Sequence, residues 1–478
     1  MTAPRRGRHW FAAGFVGATA LAGCEPYQPL PLDTASVEHA LAPPAAERLA
    51  VAAESIAHPI LRPVTLDLSD GLSEDEAAVL AVLVNPSLRG LRDERALADA
   101  QVLEAGMIPN PQLSVDADPV LSPRSSGTAF GWTVGVNWDL AELVSRGARE
   151  DSASQHRRSV DLDVAWQEWQ AALDAKRAVR RLRSLDAQIV LAQQAERELA
   201  DEVKIVRQPG ARPRFSEREA AAAELAHNDA VERVVELRND AEEQRLELNR
   251  ALGFPPDASM ALQPVADTDP GPVPDLAGIL TNLDQRRLDL LALRLGYQSA
   301  DDTLRAEILA QFPKLNVGLS PSRDTERTVS LGVGLNVDLP IFDRNQAAIA
   351  TATATRRQLF DQYVDRLFQA RADVAKLLAQ VRGLGERIAT ARAALPSLEK
   401  VVRTYQIGVR DEEVDVLSYY QARTDLTAKR IEILDLEDQQ AEARSGLELA
   451  GGLYDLTLTA GDAAGQRSAA DPPETEHE

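Results

Sequence analysis

The feature that most constrains this chain is an internal repeat with an interval of about 200 residues. Four stretches recur in the same order: VGVNWDL at 134–140 as VGLNVDL at 333–339, NPQLSV at 110–115 as FPKLNV at 312–317, LEL at 246–248 and again at 447–449, and LRGLR at 88–92 as LLALR at 290–294. Chance similarity is not expected in four ordered places. The sequence therefore predicts two copies of one structural unit, at 70–255 and 275–455.

Composition marks the boundaries of the two copies. Between them, 256–274 is rich in Pro and Gly, which is typical of a helix-breaking linker. Ahead of the first copy we expect a cleaved leader at 1–23 and an N-terminal anchor segment at 24–69. The tail at 456–478 is small, polar and acidic, and we expect it to be disordered.

Within each copy the apolar pattern changes from helical to alternating. Strands are predicted at 112–120 and 129–140, and again at 313–321 and 328–340, where apolar residues alternate with Gly, Ser, Thr, Asn and Asp. The longer runs have about the 9–11 residues of a tilted transmembrane strand, with one apolar and one polar face. The alternative is four edge strands of a soluble sheet, which would need a second apolar layer that the sequence does not offer.

A very long helix is predicted after each pair of strands. From Leu367 to Tyr405 the apolar residues are spaced alternately three and four apart, the pattern of a coiled-coil seam. The second copy should therefore contain a helix at 346–407, a turn at 408–410 and a returning helix at 414–450. The matching segments of the first copy are expected at 151–207, 208–213 and 216–252.

The predicted fold is mainly α with a transmembrane β-barrel contribution, built from a duplicated helix–strand–strand–helix unit with four strands per chain. Four strands cannot close a barrel, for which about eight is the working minimum. An open sheet edge is not tolerated in lipid, because its backbone groups would lack hydrogen-bond partners. We therefore expect a homotrimer whose strands form a 12-stranded β-barrel and whose long helices form an α-helical coiled-coil tunnel.

The N-terminus predicts a lipid anchor. Basic residues precede a short apolar stretch that ends in the sequence LAGC, with Cys24 as the chain's single cysteine. This tetrad resembles the bacterial lipobox, which implies cleavage before Cys24 and acylation, including palmitate, on its sulfur and amine. Several acyl chains give stable anchoring. Because Glu25 rather than Asp follows, the resemblance favours the outer membrane; the alternative is an ordinary signal peptide with an incidental cysteine.

Charge and composition exclude several classes of function. Lys and Arg number 52 against 74 Asp and Glu, a net charge of −22, so nucleic acid is not an expected partner. The six His residues are scattered, and those after the leader are expected at the surface. We find no catalytic constellation and no metal or cofactor motif, and Trp166 and Trp169 fit helix packing better than a ligand platform. The sequence does not indicate an enzyme.

Three motifs of the duplicated unit together resemble the TolC family of outer-membrane efflux channels. They are Asn85-Pro86-x-Leu88, Pro109-Asn110-Pro111-x-Leu113, and the strand-to-helix junction DLPIFDRNQ at 338–346. The resemblance covers about 66–455. It implies a trimeric outer-membrane barrel with a periplasmic helical tunnel, working with a periplasmic adaptor protein and an inner-membrane pump. The lipobox resembles the lipoprotein branch paired with resistance-nodulation-division pumps.

The resemblance also implies a gate at the periplasmic end of the tunnel. The family's Tyr-x-x-Gly-x-Arg stretch matches Tyr405, Gly408 and Arg410, and its following acidic residue matches Asp415. Tyr405, Arg410 and Asp415 are therefore candidate gate residues. The intervening acidic residues Asp411, Glu412 and Glu413 form a candidate acidic tip that would favour cations; the alternative is a solvated charged turn.

The expected function is passive conduction of drugs or metal cations from pump and adaptor across the periplasm and outer membrane. An alternative is the periplasmic adaptor lipoprotein of such a system, which would have one helical hairpin flanked by β-domains. A soluble coiled-coil scaffold is a third possibility, but it would not need the alternating strands or the lipobox. The sequence does not name the cargo or the cognate pump.

Overall fold

A computed structural model describes residues 26–119, 121, 130–208, 216–264, 275–411 and 414–454. The chain divides into two compact units, 1–44 and 45–478. In the first, the described part holds one helix, α1 (Thr34–Leu41), whose first turn is capped by the Asp33 carboxylate accepting from the Ser36 backbone N–H at 2.8 Å. Cys24, Glu412 and Glu413 lie outside the described residues.

The second unit contains the duplicated elements. In chain order they are α2 (Ala46–Glu54), α3 (Glu74–Val84), α4 (Ser87–Gly106), β1 (Gln112–Asp118), β2 (Gly131–Asp139), α5 (Ala141–Val206), α6 (Glu217–Leu252), α7 (Leu276–Leu280), α8 (Leu283–Arg286), α9 (Leu288–Leu309), β3 (Lys314–Arg323), β4 (Val329–Asp338), α10 (Gln346–Arg410) and α11 (Val416–Gly451). The order of α4 to α6 is repeated by α9 to α11. No described helix is long and apolar enough to cross a membrane.

The four strands form one antiparallel sheet in the order β1-β2-β3-β4. Strand β2 of the first copy pairs with β3 of the second, so the sheet joins the two copies. The register keeps the alternating polar residues on one face, as in the pairs Asp116–Thr133 and Asn316–Asn336. Apolar residues on the other face, such as Leu331 and Val333, are exposed in the single chain.

Glycine leaves room for neighbouring polar side chains that lean across this sheet. A Cβ built on Gly318 would lie 2.3 Å from Oδ1 of Asn137, and one on Gly332 would lie 2.6 Å from Oγ of Ser320. Both distances are shorter than any normal carbon–oxygen contact. A larger residue at either position would require the Asn137 or Ser320 side chain to move.

The long helices pack as two hairpins, α5 with α6 and α10 with α11. With 66 and 65 residues, α5 and α10 each extend for about 100 Å. The predicted seam of α10 is confirmed, because Val374, Val381 and Ile388 are buried. One helix start and one helix end differ from the prediction. Helix α5 begins at Ala141 rather than at 151, and α10 continues through the expected turn at 408–410 and ends at Arg410.

Helix ends are fixed by local hydrogen bonds. Ser73 and Glu76 form a capping box at the start of α3, and Ser216 with Glu219 forms a second one at the start of α6. Each box satisfies backbone N–H groups that have no partner within the helix. At the other end of α6, Gly253 adopts φ +74°, a left-handed conformation that favours glycine.

Two buried ion clusters tie the short helices to the long ones. Glu168 of α5 accepts from Arg92 Nε (2.6 Å) and Arg95 (3.2 Å) of α4. In the second copy the charges are exchanged between the helices, since Asp289 of α9 accepts from Arg366 of α10 at 2.7 Å. Arg287 also donates to Asp289, at 2.6 Å. The ion pairs therefore connect the short helix to the long helix in both copies. In the first copy the carboxylate is on the long helix, and in the second copy it is on the short helix.

The aromatic prediction is confirmed and one histidine prediction is wrong. Trp166 and Trp169 are buried in helix packing. His58, expected at the surface, is also buried, because the segment after α2 packs against α5. Its Nδ1 accepts backbone N–H groups of Ile60 (3.1 Å) and Leu61 (3.0 Å), so Nε2 carries the proton and donates to the Ala165 carbonyl. Burial lowers the pKa of His58.

Candidate functional site at the hairpin ends

The ends of all four long helices meet in one apolar cluster, which we call the tip cluster. It contains buried residues from α5, α6 and α11 and partly buried residues from α10. Its buried members are Leu199, Ala223, Ala226, Val416, Tyr419 and Tyr420. The cluster therefore joins the hairpin of the first copy to that of the second.

The structure places the expected gate residues around this cluster. Tyr405 is partly buried and packs against it. Arg410 is the last residue of α10, Asp411 is exposed directly after it, and Asp415 is the exposed residue before α11. Tyr405 and Asp415 thus lie on opposite sides of one tight turn, but the structure gives no hydrogen bond between their side chains among the described residues.

The turn is tight because Gly408 lacks a side chain. A Cβ at Gly408 would lie 2.4 Å from Cγ2 of Val414, and the Val414 backbone N–H donates to the Gly408 carbonyl at 3.1 Å. The chain can reverse direction here only if residue 408 leaves room for Val414. This gives the glycine of the Tyr-x-x-Gly-x-Arg motif a steric reason.

Four polar residues that the sequence did not indicate connect the hairpins at this end. Arg423 of α11 forms ion pairs with Glu198 and Glu202 of α5, and the Tyr419 hydroxyl donates to Glu202 at 3.1 Å. We call this group the Arg423 bridge. The Arg423 guanidinium also lies over the Tyr419 ring, 5.6 Å from its centroid. The Arg423 bridge therefore connects the same two hairpins as the tip cluster, through polar rather than apolar contacts.

Burial sets the electrostatics of the bridge. Burial raises the pKa of Glu202, and the attraction of Arg423 opposes this shift without cancelling it. Burial also raises the pKa of Tyr419 and, more strongly, that of Tyr420. Glu202 therefore takes up a proton at a higher pH than a fully hydrated glutamate does.

This arrangement holds the two helical hairpins together through one apolar and one polar contact. Among the described residues, no group of three or more His, Cys, Asp or Glu side chains is placed to hold a metal ion. The ionisable groups of the bridge are bonded to one another.

A family model and a curated relative both match this chain. The family model described as outer membrane efflux protein matches residues 279–453. A curated relative is the cobalt-zinc-cadmium resistance protein CzcC of Cupriavidus metallidurans, 26% identical over 399 residues, covering 79% of this chain and 89% of the relative.

Solved structures share the fold. The structure of CusC, described in terms of folding and transmembrane channel formation, gives a TM-score of 0.69 at 18% identity and covers 84% of this chain and 99% of its own. The outer membrane protein VceC of Vibrio cholerae gives a TM-score of 0.67 at 17% identity and covers 79% and 96%. These matches extend over both copies of the duplicated unit.

Proposed function

We propose that the chain, which matches the outer membrane efflux protein family model over 279–453 and has the TolC-like fold, is the passive outer-membrane channel of a tripartite efflux system. The observation that carries the proposal is the four-stranded sheet whose apolar face is exposed and whose polar face is continuous, directly followed by helices about 100 Å long. Lipid would cover the apolar face and water the polar face.

The sheet supports assembly as a homotrimer. Strands β1 and β4 each have one outer edge with no partner among the described residues. Lipid does not tolerate unpaired backbone groups, so β4 of one copy would pair with β1 of the next. Three copies supply twelve strands, enough to enclose a water-filled lumen.

The remaining parts of the system follow from the sequence. We propose that Cys24 is acylated and anchors the chain in the outer membrane, with the long helices in the periplasm. A periplasmic adaptor would dock at the turns 208–216 and 408–414, linking the channel to an inner-membrane pump. The gate would consist of Tyr405, Arg410 and Asp415, with Asp411, Glu412 and Glu413 as an acidic entrance favouring cations.

The cargo we propose is a divalent metal cation, which the name of the relative CzcC supports. A water-filled duct needs no metal-binding cluster of its own, because the pump selects what enters it. The adaptor alternative is not supported, since the family model and the solved structures describe channels.

Planar bilayers provide the direct test. The detergent-purified full chain should migrate as a trimer unless heated and should produce stable ion conductance. Monomeric protein that gives no conductance would overturn the channel proposal. For cargo, deleting the gene should sensitise the host to cobalt, zinc or cadmium; unchanged metal tolerance with increased sensitivity to organic drugs would overturn the metal assignment.

A further inference from the structure

A groove between the two hairpins has the dimensions of a small-molecule site. It lies between α5, α6 and α11, immediately beyond the Arg423 bridge, and has a volume of about 490 Å³. Pockets for small organic ligands occupy about 300–1,000 Å³. The walls come from both copies of the duplicated unit, so a bound molecule would contact both hairpins.

The floor of the groove is apolar. Leu185 of α5, Leu237 of α6 and Ile431 of α11 are buried side chains that line it, with alanines on either side. The alanines leave the space that the groove occupies. An apolar ligand body of moderate width would cover the apolar surface that the groove still exposes to water, which is favourable.

The arginines of the wall are all paired with carboxylates. Arg181 is paired with Asp435 and Asp438, and Arg423 is paired within its bridge. The other lining cation, Arg233, bonds to Glu236 at 3.1 Å. Every arginine of the wall therefore already has a carboxylate partner.

Two carboxylates of the wall are not compensated in this way. Asp229 and Asp240 are exposed residues that line the groove from α6, and neither has an ion pair or side-chain hydrogen bond among the described residues. They are eleven residues apart, which is about 16 Å along a helix and three turns on the same face. The middle of the groove between them is the apolar floor at Leu237.

We propose that this groove binds an elongated organic dication with an apolar middle. One cationic group lies on Asp229, the other on Asp240, and the apolar part covers Leu185, Leu237 and Ile431. Because the walls belong to separate hairpins, the bound molecule holds the hairpins together. The groove is thus a site at which an amphipathic dication stabilises the joined state of the tip.

Pentamidine, with two benzamidinium groups on a flexible linker, is a suitable probe, and benzamidine is the matching single cation. Calorimetric titration of the detergent-purified full chain should give much tighter binding of pentamidine than of benzamidine. Asp229→Asn and Asp240→Asn should each weaken pentamidine binding by about fivefold. The double variant should bind pentamidine no better than wild type binds benzamidine.

Glu232→Gln is the matched control, because Glu232 is an exposed carboxylate of α6 that does not line the groove. It should leave pentamidine affinity unchanged. Equal loss in Glu232→Gln, or undiminished binding in the double aspartate variant, would show that pentamidine responds only to general negative charge and would overturn the proposal. Absence of binding to wild type would do the same.

Conductance separates this proposal from the channel assignment. Pentamidine should reduce wild-type conductance in planar bilayers and should leave the conductance of the double aspartate variant unchanged. Conductance that is insensitive to pentamidine in both proteins would refute the groove's effect on the hairpins while the channel assignment stands. Specific binding without any conductance would refute the channel and leave the groove intact.

Discussion

Replacing Arg423 by Gln should loosen the contact between the two hairpins. In the structure the guanidinium joins Glu198 and Glu202 across the hairpin boundary, and its side chain is only 12% exposed. Gln keeps a polar side chain but is shorter than Arg and has no charge. The change removes both ion pairs and leaves the two carboxylates side by side on α5.

The exposures of the partners set the magnitude. Glu198 is 51% exposed, so its pair contributes about 0.5 kcal/mol. Glu202 is 25% exposed and would be left partly buried without its cation, which costs about 2 kcal/mol, below the range for fully buried pairs. The total is about 2–3 kcal/mol per chain, or a factor of about 30 to 150 in the equilibrium between joined and separated hairpins.

Single-channel recording in planar bilayers is the assay. Arg423→Gln should increase the fraction of time spent in high-conductance states, and Arg423→Lys should lie between the variant and wild type, since it keeps one charge. Arg250→Gln is the control, because Arg250 is 81% exposed and pairs with Glu247 within its own helix. Conductance of Arg423→Gln indistinguishable from that of Arg250→Gln would refute the assignment of the bridge as a contact that limits opening.

Three further predictions concern pH, the tip turn and a buried ion cluster. Because the pKa of Glu202 is raised, the joined tip binds a proton more tightly than a separated, hydrated tip does, and this stabilisation is present in acid and lost as the pH rises through the folded-state pKa. Acidification from neutrality to about pH 5 should therefore reduce conductance. Glu202→Gln should remove that pH dependence. Gly408→Ala forces a contact with Val414 and should accelerate limited tryptic cleavage between α10 and α11, whereas Gly383→Ala, whose Cβ would meet nothing within 4 Å, should not. Glu168→Gln leaves Arg92 and Arg95 without their buried carboxylate and should lower the free energy of unfolding by about 2 kcal/mol in denaturant titration, while Glu104→Gln at the exposed face of α4 should have no measurable effect.

Periodicity predicted the elements that have one apolar face. The spacing from Leu367 to Tyr405 located the seam of α10, and alternation located all four strands to within a few residues. The start of α5 was missed because its first ten residues bury only Ser145 and Ala148, too few to produce a helical pattern. This segment extends the helix formed by the rest of α5, and its own sequence has no helical spacing of apolar residues.

The candidate site was predictable only where it was local in sequence. Tyr405, Gly408 and Asp415 belong to one short motif, so the sequence brought them together. Arg423 is 221 residues from Glu202 and 225 from Glu198, and charged residues at such separations carry no pattern that would pair them. His58 was misassigned for the same reason, since its partner Ala165 is 107 residues away.

The two outer edges of the sheet belong to different strands, and this has a consequence for mixtures of chains. A copy whose β4 edge is spoiled can still accept a neighbour at β1, but it cannot offer an edge in return. Under the proposed threefold assembly, such a copy ends a growing ring. If half the chains in a cell were defective in this way, only about one ring in eight would contain three intact copies. A mutation at one edge would therefore be dominant over the normal gene, although the mutant chain itself could still fold.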